Sequence, residues 1–236
     1  MTMMRTSGSV AAIATPAIAM RAYLPSVPGV YGRADLRMAL LAKRLLDIVL
    51  SVLLLILSLP VLAAAATATR LTSRGPVFFG QRRIGLRGAE FTMYKLRTMC
   101  ADAEQAEESL AAEQPGRIFL KQPADPRVTA VGRWLRKYSI DEIPQFLNVL
   151  RGDMSLVGPR PLLACDWKNF PRDHHRRRVW MRPGLTGLWQ VTGRSLCIDE
   201  ERMRLDLEYV DHWTLTLDLK ILLRTPVAVL SAQGAW

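Results

Sequence analysis

Two adjacent carboxylic acids, Asp141 and Glu142, lie within the stretch YSIDEIPQFLNVLRGDMSLVGPRP at positions 138–161. Basic residues lie on both sides of the pair, among them Arg136 and Arg160. A carboxylate can act as a covalent nucleophile, and arginine offers a planar fork of donors that matches phosphate oxygens. These residue types therefore indicate a candidate reactive centre for chemistry on a phosphate.

The same stretch also fits a purely structural role. Ser139 and Glu142 have the S-x-x-E spacing of a capping box, in which the two side chains satisfy backbone amides at the start of a helix. Acids in a first helical turn are stabilised by the helix dipole by about 0.3–1 kcal/mol, and Pro144 is tolerated early in a helix. On the local pattern alone, capping is the favoured interpretation of Asp141 and Glu142.

Two loops rich in glycine, proline and arginine follow the acidic pair, RGDMSLVGPRP at 151–161 and RPGLTGLWQVTGR at 182–194. Glycine lets backbone amides approach a phosphate closely, and arginine matches its oxygens. Each loop alone is a weak signal. Together with the acidic pair and an apolar segment at 48–69, they indicate chemistry on a phosphate at a membrane surface.

The apolar segment from Ile48 to Thr69 contains 22 residues without a charge. About 20 apolar residues span the hydrocarbon core of a bilayer, so the segment predicts membrane insertion. Pro60 lies near its centre, where proline removes a helical hydrogen bond and kinks or breaks the helix. We therefore predict a helix–break–helix. A kinked span is also compatible with the sequence, because proline is tolerated in membrane helices.

Both flanks of the apolar segment are basic. Because Lys and Arg tend to stay on the cytoplasmic side, both ends are expected in the cytoplasm, as in a hairpin that enters and leaves one leaflet. The flanking residues are Arg33, Arg37, Lys43 and Arg44 before the segment, and Arg70, Arg74, Arg82 and Arg83 after it.

The composition narrows the classes of partner. The 236-residue chain has a formal net charge of +11 at pH 7, which attracts polyanions such as nucleic acid, anionic lipid or phosphate-bearing substrates. Cys100, Cys165 and Cys197 show no metal-binding spacing and fit free thiols in a reducing compartment. The sequence contains no Walker A, G-x-G-x-x-G, G-x-S-x-G or H-E-x-x-H motif, which argues against the enzyme classes that depend on them.

The remaining pattern predicts an α-rich α+β fold, in which a re-entrant membrane helix hairpin precedes a compact cytoplasmic domain of amphipathic helices with a small β-hairpin. Strand-like runs at 77–84 and 90–96 flank a glycine-containing turn. The predicted divisions are a flexible leader at 1–42, the membrane helix at 43–70 and the catalytic domain at 71–236. Helical periodicity recurs in two sets of apolar residues: Val131, Trp134, Leu135 and Tyr138, then Ile143, Phe146, Leu147 and Leu150.

Three further stretches have less specific interpretations. The block at 70–98 has seven basic residues and one acid, which predicts contact with anionic lipid heads or, through Lys95 or Arg97, with a substrate phosphate. The sequence HHRRR at 174–178 is typical of a solvated basic face. The apolar C-terminal stretch at 213–230 either lies on the membrane surface or closes the core.

Several motifs together resemble the bacterial sugar transferase family, whose members are monotopic polyprenyl-phosphate phosphoglycosyl transferases. The resemblance extends from about Lys43 to the C-terminus. It rests on KRLLD, GPVFFGQRRIG, YKLRTM, DPRVTAVGRWLR, SIDEIPQFLNVLRGDMSLVGPRP, RPGLTGLWQVTGR and LDLKIL. The chain is similar to short-form members, and its pattern is most similar to those that begin exopolysaccharide synthesis by transferring galactose-1-phosphate or glucose-1-phosphate.

The resemblance implies a re-entrant helix in the bacterial inner membrane, with both ends and the catalytic domain on the cytoplasmic face. The usual break motif of the family has serine directly before proline, whereas this chain has Ser58–Leu59–Pro60. Pro60 is therefore the expected breaker, and the role of Ser58 is left open.

The resemblance also implies a reaction. Asp141 would attack the β-phosphorus of a UDP-sugar, expel UMP and form a covalent sugar-phosphoryl aspartate, from which undecaprenyl phosphate takes the sugar phosphate. Mg²⁺ is the implied cofactor, with Asp141 and Glu142 as its ligands, and Glu142 either holds the metal or acts as a base. The substrate-binding residues implied by the resemblance are Lys95, Arg136, Arg160, Arg194 and, as a carboxylate that supports the site, Asp218.

The expected partners are a UDP-sugar, undecaprenyl phosphate and inner-membrane lipids, with homo-oligomer formation left open. No nucleic acid is expected, because aromatic residues are not interleaved with the basic run in a recognisable binding motif. One competing interpretation is a non-catalytic, membrane-anchored binder of anionic partners. Another is a glycosyltransferase that moves the sugar without its phosphate and releases UDP in place of UMP.

Overall fold

The computed structural model describes residues 33–100, 125, 127–163, 167, 173–192 and 199–231. In these residues the helices are α1 (Arg33–Thr72), α2 (Ala130–Lys137), α3 (Gln145–Arg151), α4 (Leu188–Thr192), α5 (Asp199–Asp211) and α6 (Leu215–Leu230). The strands are β1 (Phe78–Ile84), β2 (Glu90–Leu96), β3 (Ser155–Val157), β4 (Leu162–Leu163) and β5 (Gly184–Thr186). Short 3₁₀ segments cover Leu86–Gly88, Ile140–Glu142 and Asp173–Trp180. The predicted helix-rich architecture with a small sheet is confirmed.

Helix α1 begins at Arg33, inside the stretch predicted as a leader, and continues through Pro60 to Thr72 without interruption. The helix is therefore not interrupted at Pro60, and the predicted hairpin requires a kink within it. Proline can remain inside a helix because its fixed φ is close to the helical value, although one backbone hydrogen bond is lost. Ser58 donates its hydroxyl to the carbonyl of Leu55 at 3.0 Å, which is a bond within the helix itself.

The middle of α1 exposes a continuous apolar surface. It is the one helix in the described residues that is long and apolar enough to cross a membrane. Transfer of such a surface out of water is favourable in proportion to its area, so this helix favours membrane association. The exposed side chains are Ile48, Val49, Val52, Leu53, Leu54, Ile56, Leu57, Leu59 and Val61.

Before this apolar surface, α1 is held to the rest of the protein by two buried charges one helical turn apart. Lys43 Nζ donates to Asp218 Oδ2 at 2.6 Å and to the carbonyl of Val157 at 2.9 Å. Asp47 Oδ1 accepts from the backbone amide of Leu156 at 3.0 Å. These bonds join the membrane helix to β3 and α6.

After the apolar surface, α1 packs against the same protein body again. Ala65 lies in a buried cluster with Leu96 of β2 and Leu135 of α2. The body that follows α1 in the sequence therefore contacts the helix both before and after its exposed apolar part.

The predicted β-hairpin is confirmed. Strands β1 and β2 are antiparallel, with Phe78 opposite Leu96 at the open end, and β4 extends the sheet on the other side of β1. The turn uses two consecutive residues with positive φ, Arg87 at 59° and Gly88 at 79°. Glycine at the second position adopts this conformation without a steric cost.

The two glycine-rich loops pair with each other as the parallel strands β3 and β5. The amide of Gly158 donates to the carbonyl of Thr186 at 3.0 Å, and the amide of Gly184 donates to the carbonyl of Pro159 at 2.8 Å. A Cβ atom on Gly184 would lie 2.1 Å from the backbone nitrogen of Gly158. The expectation that these glycines present amides to a phosphate is therefore wrong for Gly158 and Gly184, because their amides already serve this close backbone contact.

Helix α6 closes the core, as one of the two alternatives for the C-terminal stretch predicted, and it also exposes an apolar face. Its inner face carries the buried Asp218 and Ile221 and closes the main core. Its outer face exposes apolar side chains, with Leu223 79%, Val227 70% and Leu230 73% exposed. One face is thus committed to the core, and the other remains available to an apolar environment.

Helix α2 lies unusually close to the end of the hairpin. Thr129 caps the helix, its hydroxyl accepting from the amide of Gly132 at 2.9 Å. A Cβ atom at Gly132 would lie 2.0 Å from the carbonyl oxygen of Thr98, which is backbone and cannot move aside cheaply. Gly132 therefore sets the distance between α2 and the segment that follows β2.

We expect Gly132→Ala to destabilise the protein by about 1–3 kcal/mol, because overpacking forces α2 away from Thr98. The measurement is the thermal unfolding midpoint in detergent. Arg133→Ala on the exposed side of the same helix is the control and should change stability by at most about 0.5 kcal/mol. Equal midpoints for the two variants would contradict the close-contact interpretation.

Candidate active site

The acidic pair lies in the 3₁₀ turn Ile140–Glu142, between α2 and α3. Ser139, which precedes this turn, has a left-handed backbone (φ 55°, ψ 24°), and its side chain makes no capping hydrogen bond. The capping-box interpretation is therefore wrong, because this backbone conformation does not direct the hydroxyl to the amides of the following turn. Pro144 precedes α3 as its cap residue, which agrees with its predicted place near a helix start.

Glu142 joins two basic residues from separate parts of the chain. Its Oε1 accepts from Lys95 Nζ at 3.3 Å and from Arg160 Nη2 at 3.2 Å. Lys95 comes from β2, whereas Arg160 comes from the loop after β3. The fold thus brings together three of the residues that the sequence singled out, with two positive charges on one carboxylate.

Asp141 differs from its neighbour in both burial and bonding. It is 6% exposed, and in the described part of the chain no hydrogen bond or ion pair to its carboxylate is formed. Burial raises the pKa of Asp141 above its ordinary value, and the charge of Glu142 acts in the same direction, while Lys95, Arg136 and Arg160 oppose both. A carboxylate surrounded by positive charge but without direct donors keeps its lone pairs available for attack on an electrophile.

Lys95 is held in place from the edge of its strand by Asn148 of α3. The Asn148 side chain accepts from the amide of Tyr94 at 3.0 Å and donates to the carbonyl of Thr92 at 2.7 Å, as a neighbouring strand would. Burial lowers the pKa of Lys95 despite the nearby carboxylates. Asn148 is fully buried, and it was missed in the sequence. The sequence did hold a signal for it, because Asn148 is a polar residue among the apolar positions of the helical stripe at 143–150.

Arg136 approaches the acidic turn from α2. Its Nε donates to the hydroxyl of Thr98 at 2.9 Å, and Thr98 is itself buried. The contact orients the guanidinium, whose positive charge acts on the pKa of Asp141 in the direction of ionisation. Arg97, the alternative phosphate contact in the same block, instead donates to the carbonyl of Ser73 at 2.9 Å and closes the connection between α1 and β1.

Arg160 is supported through its backbone by a buried ion pair that the sequence did not reveal. Arg178 donates to the carbonyl of Arg160 at 3.1 Å and pairs with Asp206 of α5. Arg178 is 4% exposed, and the neighbouring Arg177 pairs with Asp211 at 2.7 Å. The prediction of a solvated basic face is therefore wrong for Arg178, because the 3₁₀ segment turns this side chain toward α5.

Of the predicted site residues that the structure describes, Asp218 does not contact this cluster. Asp218 is 1% exposed and accepts from Lys43, from Tyr209 at 2.7 Å and from Trp213 at 3.1 Å. Its geometry favours support of the membrane helix over direct contact with substrate. Arg194 lies outside the described residues.

The acidic pair supplies two carboxylates, which are oxygen ligands of the kind that Mg²⁺ prefers. Mg²⁺ is usually held by one or two carboxylates, with substrate phosphates and waters completing its shell. Among the described residues, no group of three or more His, Cys, Asp or Glu side chains is arranged to hold a metal ion. Asp141 and Glu142 would therefore hold the ion only together with the oxygens of a bound phosphate.

The arrangement as a whole suits a reaction on a phosphate. Within the described residues, the buried Asp141 carboxylate has no direct partner and lies next to the ion-paired Glu142. Three basic residues from different elements supply positive charge around the two. Positive charge fixed in advance around a transferring phosphoryl group is the usual source of its stabilisation.

A family model and several known proteins match most of the chain. The family model for the bacterial sugar transferases matches residues 38–232. The chain is 40% identical over 198 residues to the galactosyl transferase CpsE of Streptococcus agalactiae, covering 83% of this chain and 44% of the relative. It is 40% identical over 200 residues to an undecaprenyl-phosphate galactose phosphotransferase of Salmonella typhimurium, covering 82% and 41%.

A third relative matches over more of its own length. This protein is the UDP-glucose:undecaprenyl-phosphate glucose-1-phosphate transferase of Caulobacter vibrioides, 44% identical over 203 residues, with 83% of this chain and 72% of the relative covered. The chain spans less than half the length of the first two relatives. Because the family match covers most of the sequence, the chain belongs to the bacterial sugar transferase family.

Proposed function

We propose that the chain transfers a hexose-1-phosphate from a UDP-sugar to undecaprenyl phosphate, with release of UMP, as the first membrane step of exopolysaccharide or related glycan synthesis. The observation that carries the proposal is the buried Asp141 carboxylate, which has no hydrogen-bond donor among the described residues and lies beside the ion-paired Glu142. The names of two relatives, which specify undecaprenyl phosphate as acceptor, support the same reaction.

The reaction proceeds in two displacements at one phosphorus atom. In the first, an oxygen of Asp141 attacks the β-phosphorus of the UDP-sugar, the bond to the bridging oxygen breaks, and UMP leaves. In the second, an oxygen of undecaprenyl phosphate attacks the same phosphorus and Asp141 leaves, which yields undecaprenyl diphosphate sugar. Lys95, Arg136 and Arg160 offset the negative charge that gathers in each transition state.

Glu142 has a supporting role in this scheme. Its ion pairs with Lys95 and Arg160 fix both cations next to Asp141, and a carboxylate paired in this way is a weak base. Magnesium, held by Asp141 and Glu142 together with the diphosphate, would supply further charge neutralisation when bound.

The transferred sugar is proposed to be galactose or glucose. One relative is named for galactose and another for glucose. A panel of UDP-sugars offered with undecaprenyl phosphate and Mg²⁺, with both products identified, distinguishes them. The same products separate UMP release from the UDP release expected of a glycosyltransferase.

We further propose that α1 kinks at Pro60, so that it enters one leaflet of the bacterial inner membrane and returns, with the catalytic body on the cytoplasmic face. The support is that this body contacts α1 at Lys43 and Asp47 on one side of the apolar stretch and at Ala65 on the other. A straight crossing would leave one of these contacts on the far side of the bilayer, since its hydrocarbon core is about 30 Å thick.

We expect Asp141→Asn to remain folded and membrane-bound but to lose activity by about 10³-fold or more, because an amide cannot form the acyl phosphate. With labelled UDP-sugar and no lipid, the unchanged protein should accumulate one sugar phosphate per chain while it releases UMP. Asp211→Asn is the control and should retain its activity, because this half-buried aspartate of α5 pairs with Arg177 and not with Lys95, Arg136 or Arg160. A non-catalytic binder would take up no label, and a fully active Asp141→Asn protein would exclude Asp141 as the nucleophile.

The raised pKa of Asp141 predicts a pH dependence. Attack needs the ionised carboxylate, so kcat/KM for the UDP-sugar should fall with decreasing pH at values above 3.8, the ordinary pKa of aspartate. Lys95→Met removes a charge that lowers the pKa of Asp141. The fall of kcat/KM on the acid side of its pH profile should therefore begin at a higher pH. Lys137→Met removes an exposed charge from α2 and should leave the pH of this fall unchanged. If the fall of kcat/KM begins at the same pH in Lys95→Met as in the unchanged protein, Lys95 does not influence the ionisation of Asp141.

Single cysteines at two exposed positions test the topology. In a background with the three native cysteines replaced by serine, Arg37→Cys and Arg87→Cys should both react with a membrane-impermeant maleimide in inside-out vesicles. Neither should react in right-side-out vesicles. Reaction of the two positions from opposite sides would establish a crossing helix.

A further inference from the structure

Gln145 is the first residue of α3 and follows Asp141 by four positions in the chain. Its side chain is buried, and its Nε2, which can donate hydrogen bonds, has no acceptor in the described part of the chain. A buried donor without an acceptor costs free energy, because the group has lost its hydrogen bonds to water. Stability alone would therefore favour an apolar side chain of similar size at this position.

Asn148, on the same helix, shows how a buried amide is used when its role is structural. Its side chain is as deeply buried as that of Gln145. It accepts from the amide of Tyr94 at 3.0 Å and donates to the carbonyl of Thr92 at 2.7 Å, so both ends of the group are bonded. The Nε2 of Gln145 has no such bond among the described residues. A structural role accounts for Asn148 but does not account for Gln145.

The chain from Asp141 to Gln145 follows a continuous helical path. Ile143 (φ −51°, ψ −42°) and Pro144 (φ −59°, ψ −18°) connect the 3₁₀ turn to α3, and both have a right-handed helical backbone. Residues three or four apart on such a path are neighbours on one face. Asp141, Gln145 and Asn148 recur at these spacings and are all buried. The side chains of Asp141 and Gln145 therefore share the buried face of this path.

These two neighbouring groups are chemically complementary, and each lacks a direct partner. The Asp141 carboxylate accepts no hydrogen bond in the part of the chain that the structure describes, and Gln145 Nε2 has no acceptor there. A phosphoryl group satisfies both at once, because its phosphorus is an electrophile for the carboxylate and its non-bridging oxygens are acceptors for the amide. A hydroxyl group or a nucleobase offers an acceptor but no phosphorus for Asp141 to attack.

We propose that Gln145 is a further catalytic residue, whose Nε2 donates a hydrogen bond to a non-bridging oxygen of the phosphoryl group that Asp141 attacks. The inference rests on the proposed function and deepens it, because it adds a second contact to the same phosphoryl group. The amide keeps its proton throughout. Its hydrogen bond strengthens as negative charge gathers on that oxygen in the transition state. Lys95, Arg136 and Arg160 supply charge, whereas Gln145 supplies a directed donor without net charge.

The test replaces Gln145 with methionine, which has a similar length and volume but no hydrogen-bond donor. We expect Gln145→Met to lower kcat and kcat/KM for the UDP-sugar equally, by about 100-fold, because the contact is strongest in the transition state. Its thermal midpoint should stay level or rise, since a buried donor without an acceptor has been removed. Asn148→Leu is the matched comparison and should lower the midpoint, because it leaves backbone groups of Tyr94 and Thr92 without their partner.

The covalent step gives a second measurement. With labelled UDP-sugar and no lipid, Gln145→Met should still take up one sugar phosphate per chain, while UMP is released more slowly by the same factor as kcat. A purely structural role would instead lower the amount of label taken up, in step with a lower thermal midpoint. The proposal is overturned by that result, and equally by a Gln145→Met protein with unchanged kcat.

A second variant keeps the test decisive if Gln145→Met does not fold. Gln145→Glu keeps the shape of the side chain and replaces the donor nitrogen with oxygen, so its kcat at neutral pH should fall at least as far. An unchanged kcat in Gln145→Glu would overturn the proposal. Failure of these expectations leaves the proposed function intact so long as the unchanged protein takes up sugar phosphate and Asp141→Asn does not.

Discussion

A buried carboxylate must find partners, because the cost of removing its charge from water is several kcal/mol. Three buried aspartates of the described chain meet this constraint with direct donors: Asp47, Asp206 and Asp218. Asp141 is equally buried but accepts no hydrogen bond there. The surrounding cations offset its charge at a distance, which leaves the carboxylate itself open. This difference separates the aspartates that hold the fold from the one that the proposed reaction uses.

Two of the partnered aspartates fasten the membrane helix to the body. Asp218 receives Lys43, and Asp47 receives the start of β3, so α1 is attached where its polar face ends and its apolar surface begins. Breaking one partner of such a buried pair costs about 3–5 kcal/mol, since the other charge is left uncompensated. The attachment therefore fixes the depth at which the body meets a bilayer entered by α1. The acidic turn is part of that same body.

The candidate site is assembled from short segments, and few helix or sheet hydrogen bonds connect these segments to one another. Small or polar residues make the contacts that regular structure lacks: Gly132 lets α2 approach Thr98, and Asn148 completes the edge of β2. The ion pair of Arg178 and Asp206 does the same for the loop that carries Arg160. Each contact fixes one cation relative to Asp141, so the electrostatic environment of the turn depends on packing several residues away.

The sequence by itself determined the elements whose signals are local. The apolar run of α1, the strand–turn–strand pattern of the hairpin and the acidic pair between two helical stripes follow from periodicity, turn residues and hydrophobicity. Only the tertiary structure decided which charges meet. Arg178 was interpreted as a solvated residue but is buried, and Asn148 was overlooked within an apolar stripe. Asp218, expected as a carboxylate that supports the site, bonds Lys43 of α1. Ion pairs join residues that are far apart in the chain, so local sequence patterns do not predict which charges meet.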